Sequence, residues 1–194
     1  MPIIIIFSTL IWFQDFKSPF YVAERVEKYG KLFKMIKFRS MIVNASSSGV
    51  DSTADDDNRI TNIGKIVRKF KIDEIPQLFN VFIGQMSFVG PRPNVLNETN
   101  LYSKVENKIL TVRPGITDFS SIVFSDEGEI LKGSKNPDLR YNQIIRPWKS
   151  RLAIIYIENQ SLLIDIKLII WTILGIVNKR LVLKNITNFL INID

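Results

Sequence analysis

The segment Lys65–Pro93 reads KIVRKFKIDEIPQLFNVFIGQMSFVGPRP. Two carboxylates, Asp73 and Glu74, stand side by side in it, followed by Pro76 and then by Leu78, Phe79, Val81 and Phe82 up to Gly84. Proline lacks an N–H and is tolerated only in the first turn of a helix, so Pro76 predicts a helix start near Asp73 or Glu74, and Gly84 suits its C-terminal end. Asp73 is then expected at the positive end of a helix, either as an ordinary cap or as a carboxylate in a place that also welcomes phosphate oxygens. Gly90-Pro91-Arg92-Pro93 is a stiff corner, because each proline fixes its own φ and restricts the residue before it. A guanidinium held between Pro91 and Pro93 can grip phosphate bidentately at little entropic cost. With Lys and Arg on both sides, the segment reads as a phosphate-handling site.

Upstream, Thr61 is the expected N-cap of a helix from Asn62 to about Lys71, with Ile63, Ile66, Val67 and Phe70 at helical spacing and Lys65, Arg68, Lys69 and Lys71 on other faces. Such a basic amphipathic helix suits an anionic membrane surface, or a wet face over a core. Residues 44–59 are small, polar and acidic and read as a surface loop. The run Asp55-Asp56-Asp57 lacks the spacing of an EF-hand and reads as solvated or as a mobile flap. Residues 18–43 form two short extended segments punctuated by Pro19 and Gly30. Lys37 and Arg39, two apart, share a strand face, which either aims two cations at one point or makes a solvated edge. Residues 2–13, PIIIIFSTLIWF, are uncharged. As a helix they reach roughly 18 Å, short of the ~30 Å hydrocarbon layer, so they dip into one leaflet or form a first core element rather than span. No basic n-region or small-residue cleavage site marks them as a signal peptide.

Downstream, Arg113-Pro114-Gly115 is a second rigid corner. Residues 94–110 read as helical, residues 116–124 as an apolar, hydroxyl-rich wall of a pocket, and residues 125–142 as a polar loop. Helices are expected over Trp148–Ile157 and Leu162–Val177, the second interfacial or core, with a fraying tail from Asn178.

The 194 residues, 46% hydrophobic, suffice for one domain with a sizeable core. A net charge of +7, from 26 Lys and Arg against 19 Asp and Glu, calls for an anionic partner such as phosphate, anionic lipid or nucleic acid. Nucleic acid is disfavoured, since the basic residues lie between apolar segments and no base-reading motif is present. The absence of Cys and His excludes disulfides, thiol nucleophiles, Cys/His zinc sites and Ser-His or Cys-His catalysis. Chemistry is left to carboxylates, Lys, Arg, Tyr, hydroxyls or an oxygen-ligated metal, usually magnesium where phosphates are involved.

Taken in order, the pieces resemble the bacterial sugar transferases, the monotopic phosphoglycosyl transferases. They are Glu24-Arg25-Val26, Lys37-Phe38-Arg39-Ser40-Met41, Ile63-Gly64 through Arg68, Asp73 through Leu78 with Asn80-Val81, Gly84 through Ser87, Val89 through Pro93, Val112 through Thr117, and Tyr156 through Lys167. The resemblance implies an α+β fold, mainly helical with a small β element. It would be a compact membrane-associated catalytic domain with an N-terminal re-entrant-type apolar segment, incomplete here. Residues 1–17 would be the partial membrane-associated helix, 18–178 the catalytic domain and 179–194 a C-terminal tail. It implies transfer of a sugar 1-phosphate from a UDP-sugar to polyprenyl (undecaprenyl) phosphate with release of UMP, starting exopolysaccharide, O-antigen or glycan assembly. Asp73 would be the nucleophile that carries the phosphosugar, and Glu74 would help bind Mg2+. Arg92, with Lys37, Arg39, Arg68 and Arg113, would hold phosphate oxygens, while Pro91 and Pro93 shape the loop and Asp165 is structural or an outer partner. The implied location is the cytoplasmic face of the bacterial inner membrane, in contact with its lipid and compatible with a homo-oligomer.

The chain also departs from the family. Pro2 stands where the proline of the bent membrane helix is expected, so the basic head and first apolar half are missing, and the alternative is a truncated or inactive paralogue serving as a membrane-side interaction module. Gln85 replaces a usual Asp. Asp118-Phe119-Ser120-Ser121 replaces a Gly-Leu-Trp-Gln type of sequence, a change expected to alter the donor pocket.

Overall fold

The two extended segments of residues 18–43 pair as an antiparallel hairpin, β1 (Phe20–Val26) and β2 (Leu32–Phe38), in a computed structural model that describes residues 2–45 and 52–193. Residues 46–51 of the polar loop lie outside the described residues. Before the hairpin comes α1 (Pro2–Trp12), whose Ile4, Phe7 and Ile11 pack on Phe38, Val67, Ile63 and Ile72, while Ile3, Ile6 and Leu10 on the other face stay exposed. Among the described residues no helix is long and apolar enough to cross a membrane.

After the loop, α2 (Asn62–Lys69) begins as expected at Thr61, whose hydroxyl accepts a hydrogen bond from the Gly64 N–H at 2.9 Å. The acidic run ahead of it is only partly solvated. Asp55 and Asp56 are exposed, but Asp57 is drawn in by the Arg59 guanidinium at 2.6 Å. The helix anticipated from Asp73 starts later. The carboxylates occupy a 3-10 turn, Ile72–Glu74, and α3 runs Gln77–Phe82 with Pro76 at its N-cap. Lys71, with left-handed backbone (φ 54°, ψ 25°), causes the shift by breaking the path out of α2, so the dyad precedes the helix instead of capping it.

Two three-residue strands, β3 (Ser87–Val89) and β4 (Gly115–Thr117), pair in parallel behind the site. The Pro-Arg-Pro corner is tied across this pair, with Gly90 N–H donating to Thr117 O (3.0 Å) and Gly115 N–H to Pro91 O (2.9 Å). A Cβ on Gly115 would stand 2.1 Å from the Gly90 nitrogen, so only glycine lets the two chains approach this closely. Residues 94–110 are not one helix but α4 (Leu96–Thr99) and a 3-10 turn, Glu106–Thr111. Asn and Ser side chains there bond locally and compete with a continuous helix. Asn94 donates to the Tyr102 hydroxyl, and Ser103 and Glu106 cap one another reciprocally.

Next come α5 (Phe119–Val123), α6 (Glu127–Leu131) and α7 (Pro137–Arg140), the latter two in a stretch read as loop. Asn136 caps Pro137–Arg140 by accepting from Leu139 N–H, and Gly128 packs on Asp55. The two long helices are where they were predicted, α8 (Arg146–Asn159) and α9 (Leu162–Val177), and the Tyr156 hydroxyl pins them together by donating to Asp165 at 2.7 Å. The tail does not fray. It forms α10 (Lys179–Ile191), whose Val182 and Ile186, four apart, join Val89, Phe119, Ile122, Leu152 and Leu168 in the largest core cluster.

One buried side chain joins the hairpin to α3. Asn80, 1% exposed, accepts from Ile36 N–H (3.1 Å) and donates to Lys34 O (2.8 Å) and Gln85 Oε1 (2.9 Å). Gln85, the residue that departs from the usual Asp, thus serves here as a neutral acceptor. Asn80→Ala leaves the half-buried Ile36 N–H and the Lys34 carbonyl without their side-chain partner, and denaturant unfolding is expected to show a loss of about 1–3 kcal/mol. Gln85→Ala, which removes only one acceptor, is expected to cost under about 1.5 kcal/mol.

Candidate active site

The Ile72–Glu74 turn carries Asp73 and Glu74 into a cavity of about 1000 Å³. Its lining includes Lys37, Arg68, Lys71 and Arg92 around the two carboxylates, with Ser120 and Ser121 of α5 and Thr172, Gly175 and Ile176 of α9. Glu74, whose side chain is 11% exposed, is the engaged member of the dyad. Arg92 Nη2 donates to its Oε1, and Lys37 Nζ lies 3.9 Å from the same oxygen. Asp73 makes no hydrogen bond or ion pair with any described residue, although it faces the charges of Glu74, Lys37, Arg92 and Arg68.

The charges follow from this geometry. Burial, with the adjacent Glu74 charge adding to it, pushes the Asp73 carboxyl above the usual carboxylate range. Burial acts in the same direction at Glu74, but Arg92, Lys37 and Lys71 outweigh it and hold that carboxyl well below its ordinary value. The Glu74 carboxylate raises Arg92 further, so the guanidinium is permanently charged. Lys37 moves the other way, to about 8, mainly through burial and then through repulsion from Arg92.

Of the residues predicted for phosphate binding, Lys37, Arg68 and Arg92 reach the cavity, as does Pro93 beside Arg92. Arg39 does not. Strand β2 ends at Phe38, so the alternation that would have put Arg39 beside Lys37 stops one residue short, and the Arg39 guanidinium turns to Asp15 in a bidentate pair (2.6 Å twice) and to Ser18 O (2.8 Å). Arg113 is exposed and absent from the cavity lining, with its carbonyl turned to Gly90. One participant lies outside the sequence reading of the site: Lys71, placed there on a basic helix face, stands directly after the α2 C-cap, where Gly or Asn is usual. Asp118, fully buried, caps α5 by accepting from Ser121 N–H (2.7 Å) and from the Ser120 hydroxyl (2.8 Å), which sets the serine wall of the cavity.

The donors suit magnesium only as a companion of a ligand. Among the described residues no group of three or more acidic side chains could hold a metal. Both cations approach Glu74 at Oε1, so Glu74 would hold a magnesium ion only together with the phosphate oxygens of a bound ligand, where the ion would supply charge neutralisation.

Together these features define a class: an α+β protein whose carboxylate pair is ringed by cations in one cavity. The chain belongs to the bacterial sugar transferase family, which it matches over residues 1–179. It is 34% identical over 160 residues to galactosyl transferase CpsE of Streptococcus agalactiae, a match covering 77% of this chain and 32% of the relative. It is 47% identical over 93 residues to a putative undecaprenyl-phosphate N-acetylgalactosaminyl 1-phosphate transferase of Bacillus subtilis, covering 48% and 52%. It is 32% identical over 189 residues to the exopolysaccharide production protein ExoY of Sinorhizobium fredii, covering 89% and 76%. The chain thus spans about a third to a half of the first two of these relatives.

Lys37 is charged below pH about 8 and neutral above it, so the attraction it offers an anion is present at neutral pH and lost as pH rises through that value. Titrating a nucleoside diphosphate onto the protein calorimetrically should show affinity falling between pH 7 and 9. In Lys37→Met that decline should flatten, with binding already weaker at pH 7.

Proposed function

We propose that this protein transfers a sugar 1-phosphate from a UDP-sugar to polyprenyl phosphate, undecaprenyl phosphate being the expected acceptor, and releases UMP. The observation that carries the reading is the division of labour in the dyad. Glu74 is held by Arg92 and Lys37, while the Asp73 carboxylate beside it is unengaged and open to a substrate. In a chain without His or Cys, such a carboxylate is the best available nucleophile.

In the first half-reaction an Asp73 oxygen attacks the β-phosphorus of the UDP-sugar. The bond from that phosphorus to the bridging oxygen breaks, UMP leaves with the bridging oxygen, and the sugar phosphate remains on Asp73. In the second, an oxygen of the polyprenyl phosphate attacks the same phosphorus, the Asp73–phosphorus bond breaks, and the products are polyprenyl diphosphate sugar and the free carboxylate. Arg92, Lys37 and Arg68 hold the phosphate oxygens in line, which converts two bimolecular encounters into positioned ones. Magnesium held by Glu74 and the diphosphate would supply neutralisation of the charge that develops there.

The cavity also supports a lipid acceptor. Beside the charged residues it is lined by Gly175 and Ile176 of α9, whose neighbours Ile173 and Val177 are exposed. Exposed apolar residues of α3, among them Phe79 and Phe82, follow the dyad directly, and the outer face of α1 adds Ile3, Ile6 and Leu10. Patches of this kind next to a phosphate site favour residence on the cytoplasmic face of the inner membrane, where both substrates meet.

Release of UMP from a panel of UDP-sugars, with magnesium and undecaprenyl phosphate supplied, tests the reading. Asp73→Asn should lower the rate by about a thousandfold or more. With lipid withheld, intact-mass measurement should find a sugar-phosphate adduct on the parent protein and none on Asp73→Asn. Unimpaired UMP release by that variant would sink the nucleophile assignment.

A further inference from the structure

Of the four cations around the dyad, Lys37, Arg92 and Lys71 differ in what they touch. Lys37 and Arg92 both contact Glu74. Lys71 has no carboxylate within ion-pair distance among the described residues. Its single hydrogen bond runs from Nζ to the Ser121 carbonyl, at 3.0 Å. That neutral partner leaves two of the three ammonium donors unused. The side chain is partly buried and lines the same cavity as Asp73, two residues away in the chain, and it lies within the electrostatic reach of Glu74, Asp73, Arg92 and Asp118.

The backbone makes this placement an expensive one. A residue with a Cβ is strained in the left-handed region, and the position after a helix C-cap is where Gly or Asn usually takes that conformation. A lysine held there, with its ammonium drawn in from water and no counter-charge in contact, is an arrangement that an incoming anion would complete.

We propose that Lys71 is a binding residue for the diphosphate of the donor, gripping it from the α5 side while Arg92 and Lys37 approach from the corner and β2. The proposal rests on the donor reading above. Lys71 would contribute to affinity by charge-assisted hydrogen bonds from its two free N–H groups, and the Ser121 carbonyl would act as the stay that keeps the flexible stem aimed.

The test uses the full chain, UDP with magnesium as the probe, and calorimetric affinity at neutral pH beside the thermal midpoint. Lys71→Asn removes the charge yet tolerates left-handed backbone, so its midpoint should be no lower than that of the parent. Its affinity for UDP should fall by about tenfold or more, and Lys71→Arg should stay within about threefold of the parent. Equal affinity of parent and Lys71→Asn would overturn the proposal while leaving the donor reading intact. Equal loss in Lys71→Arg and Lys71→Asn would overturn it too, since the charge would not be what matters. A parent protein that binds no UDP would instead fail the donor reading, and this proposal with it.

Discussion

Two carboxylates on consecutive residues cannot both be drawn out of water and stay charged unless cations are brought to them. Asp73 and Glu74 impose this condition, and no single element meets it. Lys37 arrives from β2, Arg92 from the corner after β3, and Lys71 from the bend after α2. Each supplier is held by backbone: β2 by its register with β1 and by Asn80, the corner by Gly90 and Gly115 across β3 and β4, and the bend by Ser121 of α5. Loss of the ties on β2 or on the corner would leave the buried Glu74 charge short of a partner, which costs more than the contact itself contributes.

The apolar interior is correspondingly divided. Among the described residues it falls into four clusters, one under α1, one between the hairpin and Met86, one around Leu131 and Ile145, and the largest where α5, α8, α9 and α10 meet. Burying a Phe or Leu fully contributes about 1.5–3 kcal/mol, so the largest cluster, with Phe119 and Leu168 at zero exposure, is the main anchor. The elements that carry the dyad and lead into the Pro-Arg-Pro corner are small ones. Strands of three residues and helices of four to six have little stability of their own and keep their positions through the helices behind them.

Much of this was legible in the sequence where the signal was local. Thr61 as a cap, Pro19 and Gly30 as strand punctuation and the break between α8 and α9 each depend on residues within one or two turns. The dyad and Arg92 were legible too, since a proline-bounded arginine and paired carboxylates say something before any fold is known. Arg39 is placed wrongly by strand alternation, which holds only while the strand lasts: the ladder ends where Phe38 meets Phe20, and the Arg39 side chain then turns to the distant Asp15. The role of Lys71 turns on one backbone angle, which no side-chain pattern encodes. By contrast, the capping box at Ser103 and Glu106 and the four-residue spacing of Val182 and Ile186 were readable signals that polar composition obscured.

The Asp15–Arg39 pair has a mechanical meaning. Asp15 follows α1 by three residues, and Arg39 follows Lys37 by two, so a bidentate clamp makes the first helix and the strand bearing a phosphate-facing ammonium move together. On the membrane residence proposed above, a lipid layer that received Ile3, Ile6 and Leu10 would through this clamp also set the height of Lys37, with α1 as its depth gauge.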